Sequence, residues 1–323
     1  MDSFTSPTFL LSAATFVGIV VILYWKQHKS KDTSSGYASS KQGMLLLGQY
    51  AIDYTERARR GELQPVIGRQ REIEHLIQVL SRKTKNNALL LGKPGVGKTA
   101  VVERLAELIV AGDVPETIRD KAVIELDLAS LVSGTKYRGE LEKRLDSIRK
   151  ALRAQEHHII LFIDEIQQLA QASGAEGGLN PGDILKPELA RGHLQLIGAT
   201  TYDDYEKYIL PEESLERRFQ PIHIHEPSRE ETIAMLNGVK NVFEEYHKVK
   251  YTDDSIAAIV DLSKKHIHER YLPDKAIDVL DEAGVRVHIR ALKDKLALPV
   301  AVGVEDIQQV VADWVEKSKE EIN

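Results

Sequence analysis

The sequence predicts an α/β domain built on a parallel sheet, followed by a small all-helical lid domain, and two contrasting patterns carry that reading. Between residues 87 and 200 the runs NALLLG (87–92), AVIELD (122–127), HIILFIDE (158–165) and LQLIGAT (194–200) are apolar nearly throughout and are bounded by turn or charged residues. Runs of this kind suit strands buried on both faces of a parallel sheet. Helical segments such as KTAVVERLAELIVAG (98–112) and RGELEKRLDSIRKALRA (138–154) lie between them, and the alternation argues for a doubly wound arrangement. After Pro227 the apolar runs give way to amphipathic helices, with Ser228 and Thr252 placed as N-caps.

Taken in order, the chain starts differently from the way it continues. Residues Thr8 to Trp25, TFLLSAATFVGIVVILYW, form an uncharged apolar run of the length that spans a bilayer as a helix. The alternative is a cleaved signal peptide, which calls for a positive leader and small residues at the cleavage site. Here Asp2 is the only charged side chain before the run, and the first cations, Lys26, Lys29 and Lys31, follow it. Retention as an anchor is therefore the expectation, with the body on the positively flanked side, in the cytoplasm or an equivalent reducing compartment. Residues 26–43, rich in Ser, Lys and Gly, read as a flexible linker with an r.m.s. reach of roughly 23 Å. The expected division is then an anchor at 8–25, a linker at 26–43, a large α/β subdomain at 44–227, and a helical lid with its tail at 228–323.

Composition narrows the function classes. With 323 residues, 42% of them hydrophobic, there is material for two compact domains. A formal net charge of −6 and the lack of a long basic run speak against nucleic acid as a partner. No cysteine occurs, which removes disulfides, thiolate metal sites and thiol catalysis together.

The chemistry-bearing motif is GKPGVGKT, residues 92 to 99, between an apolar run and a helix. In that setting Gly92, Pro94, Gly95, Val96 and Gly97 form a phosphate loop, Lys98 reaches the β and γ phosphates, the Thr99 hydroxyl binds Mg²⁺, and Ala100 continues into the helix. Downstream, Asp164 ends another apolar run and is placed to hold Mg²⁺, while Glu165 beside it can activate the attacking water. That glutamate favours a hydrolysing motor over a passive switch. Thr200 ends the LQLIGAT run where a hydroxyl can sense the γ-phosphate. Arg217 and Arg218 lie beyond it, and an exposed arginine of this kind can serve a neighbouring subunit's nucleotide. The segment SGTKYRGELEKRL (133–145) sets Tyr137 between Lys136 and Arg138 on a glycine-bounded loop, without the apolar neighbours of a core tyrosine. His223 with His225 and His266 with His268 are spaced like metal pairs but lack suitable further ligands, so zinc is not expected.

In this order the pieces resemble the first ATPase module of the Clp unfoldases (ClpA, ClpB, ClpC), members of the AAA+ superfamily. The resemblance runs through LGQYAIDYTERARRGELQPVIGR, SRKTKNNALLLGKPGVGKTAVVE, GTKYRGELEKRL, ILFIDEI, LKPELARGHLQLIGATT, LERRFQPIHIHEPS and RYLPDKAIDVLDEA, roughly Leu45 to Ile289. It implies a large α/β and a small helical subdomain with ATP between them, a homohexameric ring, and protein substrates drawn through its pore. It places the nucleotide-binding lysine and threonine on Lys98 and Thr99, the acidic pair on Asp164 and Glu165, sensor 1 on Thr200 and the trans-acting arginines on Arg217 and Arg218. Val66, Ile67 and Gly68 fall where the family packs on adenine, and Lys275 where other AAA+ proteins carry a sensor 2 arginine. Lys136, Tyr137 and Arg138 fall on the first pore loop, and GAEGGLNPGDILKPEL on the second.

Departures from the family set further expectations. An N-terminal substrate-binding domain, the coiled-coil middle domain and a second ATPase module are not found, so docking to a peptidase is not expected. Lys93, Gln167 and Gln168 depart from the family pattern at positions expected to lie outside the chemistry. The leading reading is a membrane-anchored ATPase that remodels proteins. A nucleotide-gated membrane scaffold, or an auxiliary subunit of a full-length Clp ring, are the alternatives.

Overall fold

A computed structural model describes residues 48–132, 138–155, 158–171, 188 and 194–321. The expected anchor at 8–25, the linker at 26–43, Lys136, Tyr137 and nearly all of the second loop therefore lie outside the described residues. Among the described residues no helix is long and apolar enough to cross a membrane.

Six strands form the main sheet: β1 (Ala51–Asp53), β2 (Asn87–Leu91), β3 (Ala122–Leu126), β4 (Ile159–Ile163), β5 (Gln195–Thr200) and β6 (Phe219–His223), in spatial order β1-β3-β4-β5-β2-β6. All pairings from β3 to β6 are parallel, but β1 runs antiparallel to β3, so the sheet is mixed rather than parallel throughout. The strand β1 has three residues, too few for a periodicity that sequence could show.

Helices cover both faces, and the strand side chains alternate between them. Ala88 and Leu90 of β2, with Ile160 and Phe162 of β4, pack against α1 (Tyr54–Arg59), α2 (Gln70–Leu80) and α3 (Lys98–Ala111). Leu89 and Leu91, with Leu161 and Ile163, face the opposite core, to which α4 (Arg138–Ala154) contributes Leu145, Ile148 and Leu152. All five residues of β2 and of β4 are buried, which explains why these runs read as uniformly apolar.

The lid contains α5 (Arg229–His247), α6 (Asp253–His266), α7 (Asp274–Lys293) and α8 (Val304–Glu321). Ser228 caps α5 through a capping box, accepting from the Glu231 amide while the Glu231 carboxylate accepts from the Ser228 amide at 2.8 Å. Thr252 caps α6 in the simpler way, accepting from the Ser255 amide at 3.0 Å. The lid is not all-helical, because β7 (Val249–Tyr251) and β8 (Val300–Val302) pair in parallel. Each has only three residues, and the helices between them hold the two together, so the pairing left no local signal.

Close packing at Gly284 closes this core. A Cβ there would meet the Tyr251 hydroxyl and come within 2.8 Å of His247 Cδ2. Tyr251 is itself tied down by donating to the Leu280 carbonyl at 2.7 Å. Gly284→Ala is therefore expected to cost about 1–3 kcal/mol, seen as a lowered Tm. An unchanged Tm would show that the packing between α5 and α7 has slack.

Candidate functional site

The site starts from the end of β2. Leu91 pairs with Thr200 on one side and with His223 on the other, so the chain leaving β2 emerges between two parallel strands. Gly92 donates its amide to the Thr200 carbonyl at 3.2 Å, and a Cβ on it would lie 2.5 Å from the Ile224 carbonyl oxygen. Only glycine fits that gap. Gly95 and Gly97 then take left-handed conformations, with φ of 75° and 93°, and turn the loop into α3. The first turn of α3 has no capping side chain and no acidic residue, which leaves its amides available to an anion.

Lys98 folds back over this loop and donates to the carbonyls of Gly92 at 3.0 Å and Lys93 at 3.1 Å. Burial holds its pKa below the ordinary lysine value, an effect opposed by the charges of Asp164 and Glu165. Asp164 stands at the end of β4, where burial raises its pKa, against the Glu165 amide bond and the Lys98 charge that lower it. The next residue, Glu165, has φ of 51°, and its amide donates to Asp164 Oδ1 at 2.9 Å. This left-handed turn points two successive carboxylates at the same cleft.

That cleft is a cavity of about 430 Å³ between the phosphate loop, the strand ends and the lid. Pro94, Gly95, Gly97, Lys98, Thr99 and Ala100 line one side, and Asp164, Glu165 and Thr200 another. Pro273, Asp274 and Ile277 close it from the lid. A smaller cavity of about 130 Å³ continues past the shared Gly97, Ala100, Pro273 and Ile277. Its walls are mostly apolar, with Val66, Ile67 and Val96 from the large subdomain and Met235 and Val239 from α5. Gly68 turns the chain out of this wall at φ 77°, although it does not line the cavity. A Cβ on Gly238 of α5 would clash with Ile67, so glycine there lets the lid close on that segment.

One residue that sequence reasoning assigned to the site, Lys275, stands elsewhere in the structure. Lys275 does not reach the cleft: it is 4% exposed and donates to the Ile267 carbonyl at 2.7 Å. Its neighbour Asp274 faces the cleft instead, and the Asp274 amide approaches the Gly95 carbonyl at 3.4 Å. Helix phase separates the two, because successive side chains on a helix point about a quarter-turn apart. Arg217 and Arg218 are exposed and line neither cavity, and Arg217 Nε donates to the Glu213 carbonyl at 3.1 Å. Arg138 opens α4, just after the undescribed residues 133–137 that contain Lys136 and Tyr137.

Other residues were missed. Arg69 lines the smaller cavity, donating to the Val96 carbonyl at 2.7 Å and pairing with Glu72 at 3.2 Å. Of Gln167 and Gln168, expected to lie outside the chemistry, Gln167 lines the cleft and Gln168 touches one of its carboxylates. Gln168 Nε2 donates to Glu165 Oε2 at 2.8 Å, and Gln167 Oε1 accepts from the Thr200 hydroxyl at 2.7 Å. Two glutamines after an acidic pair offered the only signal for these contacts.

The donors fit a nucleotide. A polar compartment with free amides, an ammonium and a hydroxyl suits a phosphate chain, and the narrower apolar slot suits a flat ring. Thr99 and Asp164 supply oxygen donors for Mg²⁺, which typically takes one or two protein ligands and completes its shell with phosphate and water. Among the described residues no three His, Asp or Glu side chains gather into a metal group of their own. Fold and cleft together define a phosphate-loop ATPase domain with a lid.

Comparison with known proteins refines that class. Residues 88–222 match the model for the ATPase family associated with various cellular activities (AAA), and residues 228–322 match the AAA lid domain. The chain is 55% identical over 245 residues to the chaperone protein ClpB of Oceanobacillus iheyensis, covering 76% of this chain and 30% of that one. It is 51% identical over 264 residues to the negative regulator of genetic competence ClpC/MecB of Bacillus subtilis, covering 81% of this chain and 32% of that one. Among solved structures, a closed state of Hsp104 with ATPγS and FITC-casein superposes with a TM-score of 0.76 at 38% identity, over 84% of this chain and 45% of that one. Over the matched segments the chain belongs to the Clp-type AAA+ family, and it spans about a third of the length of these curated relatives.

The Asp164 environment gives a test. Because burial raises its pKa, the native state holds this proton more tightly than the unfolded chain does. The ionised form therefore destabilises the fold above both pKa values, and the penalty fades as pH falls through them. Asp164→Asn, which keeps the oxygen that accepts from Glu165, is expected to raise the nucleotide-free Tm at pH 7, with the gain closing toward about pH 4. A lower Tm at pH 7 would show that Asp164 is a net stabiliser through Lys98.

Proposed function

We propose that this chain hydrolyses ATP and uses the energy, as a homohexameric ring, to pull on and remodel protein substrates. The observation that carries the hydrolytic part is the convergence of Lys98, Thr99, Asp164, Glu165 and Thr200 on one cleft that the lid closes with Asp274 and Ile277. Lys98, Thr99 and the loop amides hold the phosphates, and Thr99 with Asp164 holds Mg²⁺, which when bound neutralises charge on the phosphate oxygens. Val66 and Ile67 form the wall against adenine, with Met235 and Val239 of the lid on the same slot. Glu165 accepts a proton from the attacking water.

The remaining parts of the reading rest on resemblance and sequence. The solved Hsp104 structure holds ATPγS and casein together, which supports a grip on polypeptide here. Arg217 and Arg218 are exposed and outside their own subunit's cleft, as residues acting on a neighbouring copy must be. Tyr137, between Lys136 and Arg138, supplies an aromatic face that packs on many polypeptide sequences. The apolar run 8–25 is the basis for anchoring this ATPase to a membrane, with the catalytic body in a cytoplasmic or equivalent reducing space.

ATP turnover of the full chain, measured with Glu165→Gln beside it, tests the reading. Glu165→Gln is expected to bind ATP unchanged and to lose on the order of 100-fold or more in kcat. Tyr137→Ala is expected to keep ATP turnover and to lose unfolding of a protein substrate. A monomer without Glu165-dependent turnover would contradict the motor and favour an auxiliary subunit of a larger Clp ring.

A further inference from the structure

From Thr200, at the end of β5, a hydrogen-bonded chain runs through Gln167 and Asp204, two residues that neither the family motifs nor the reading above uses. Thr200, 2% exposed, donates its hydroxyl to Gln167 Oε1 at 2.7 Å. Gln167, 7% exposed, turns its Nε2 to Asp204 Oδ2 at 3.4 Å. Asp204 cannot swing away, since its Oδ2 also accepts from the Thr201 hydroxyl at 2.7 Å while its amide donates back to Thr201 Oγ1 at 3.1 Å.

The direction of these bonds matters more than their number. A carboxylate only accepts, so Asp204 fixes which end of the Gln167 amide faces it and leaves the carbonyl end to Thr200. The single Thr200 proton is thereby committed to Gln167. Toward the cleft, which it lines, Thr200 has only lone pairs to offer. A phosphate oxygen is also an acceptor and finds no partner in such a group, whereas a water molecule does. Glu165, an acceptor lining the same cleft, is held by Gln168 Nε2 at 2.8 Å. Two acceptors on one cleft can each take a hydrogen of a single water and leave its lone pair free to attack.

We propose that Gln167 is a positioning residue that, braced by Asp204, fixes Thr200 as a hydrogen-bond acceptor for the attacking water rather than as a donor to the γ-phosphate. The inference rests on the hydrolytic reading above and adds to it the group that decides what Thr200 does. Gln167 acts through Thr200 and touches no reacting atom itself. A purely structural role for Gln167, tying the acidic turn to β5, is the competing account, and it predicts a different pattern of losses.

Steady-state ATP turnover of the full chain and ATP affinity in a Glu165→Gln background separate the two. Gln167→Met, similar in length and apolar, is expected to lower kcat about tenfold while leaving KM and ATP affinity within about twofold. Thr200→Val is expected to do the same, and Gln167→Met with Thr200→Val is expected to fall no lower than either alone. Asp204→Asn replaces the acceptor-only carboxylate that orients the amide with a group that can also donate, and covers the case in which Gln167→Met fails to fold. It is expected to lower kcat several-fold at unchanged ATP affinity. Losses that multiply in the double variant, ATP affinity weakened more than about threefold by Gln167→Met, or an unchanged kcat in Asp204→Asn would overturn the proposal. Turnover that depends on Glu165 but is indifferent to Gln167 and Asp204 would overturn this inference alone, whereas absence of Glu165-dependent turnover would remove the hydrolytic reading and this inference with it.

Discussion

The cleft depends on one constraint, the burial of β2 between two parallel neighbours. Its register against β5 and β6 brings Leu91 level with Thr200 and His223, so the phosphate loop must start where β5 ends. β4 lies on the far side of β5, with Ile163 level with Gly198, which puts Asp164 at the same height one strand further along. Parallel strands end together at one edge of a sheet, and ligand sites of such folds form there. Fixing β2 thus fixes where Lys98 stands relative to Asp164 and Thr200.

The constraint also has an electrostatic side. An ammonium and two carboxylates are drawn into a partly dry cleft, where burial shifts Lys98 down and Asp164 up, each toward its neutral form. Their mutual attraction opposes both shifts. A cleft in this condition is poised for a ligand that brings negative charge to Lys98 and a cation to Asp164. The lid then matters as a wall rather than as a source of charge balance. Among the described residues, Asp274 is its one ionisable side chain on the larger cavity, and it is acidic.

Legibility in the sequence followed how local each feature is. The phosphate loop, the strands β2 and β4 and the caps at Ser228 and Thr252 are each specified by a few adjacent residues and could be read directly. β1, β7 and β8 could not, because three-residue strands carry no periodicity and owe their pairing to distant partners. The slot behind the loop was half visible. Val66 and Ile67 came from the family resemblance, whereas Met235, Val239 and Ile277 join them only when α5 and α7 fold over the domain. Lys275 shows the limit of carrying a position across by motif, since one residue of helix phase puts its ammonium on the Ile267 carbonyl and Asp274 in the cleft. Gln167 and Gln168 failed for another reason: a side-chain amide has no fixed chemistry until its partners are known.

The central claim is that one nucleotide bridges the phosphate loop and the lid. Amide hydrogen exchange of the chain with and without ATPγS addresses it most directly, read at Gly95–Ala100, at Val66–Gly68 and at Asp274–Ile277. The account predicts that nucleotide slows exchange in all of these segments together. Protection confined to the phosphate loop, with Val66–Gly68 and the start of α7 unchanged, would contradict it.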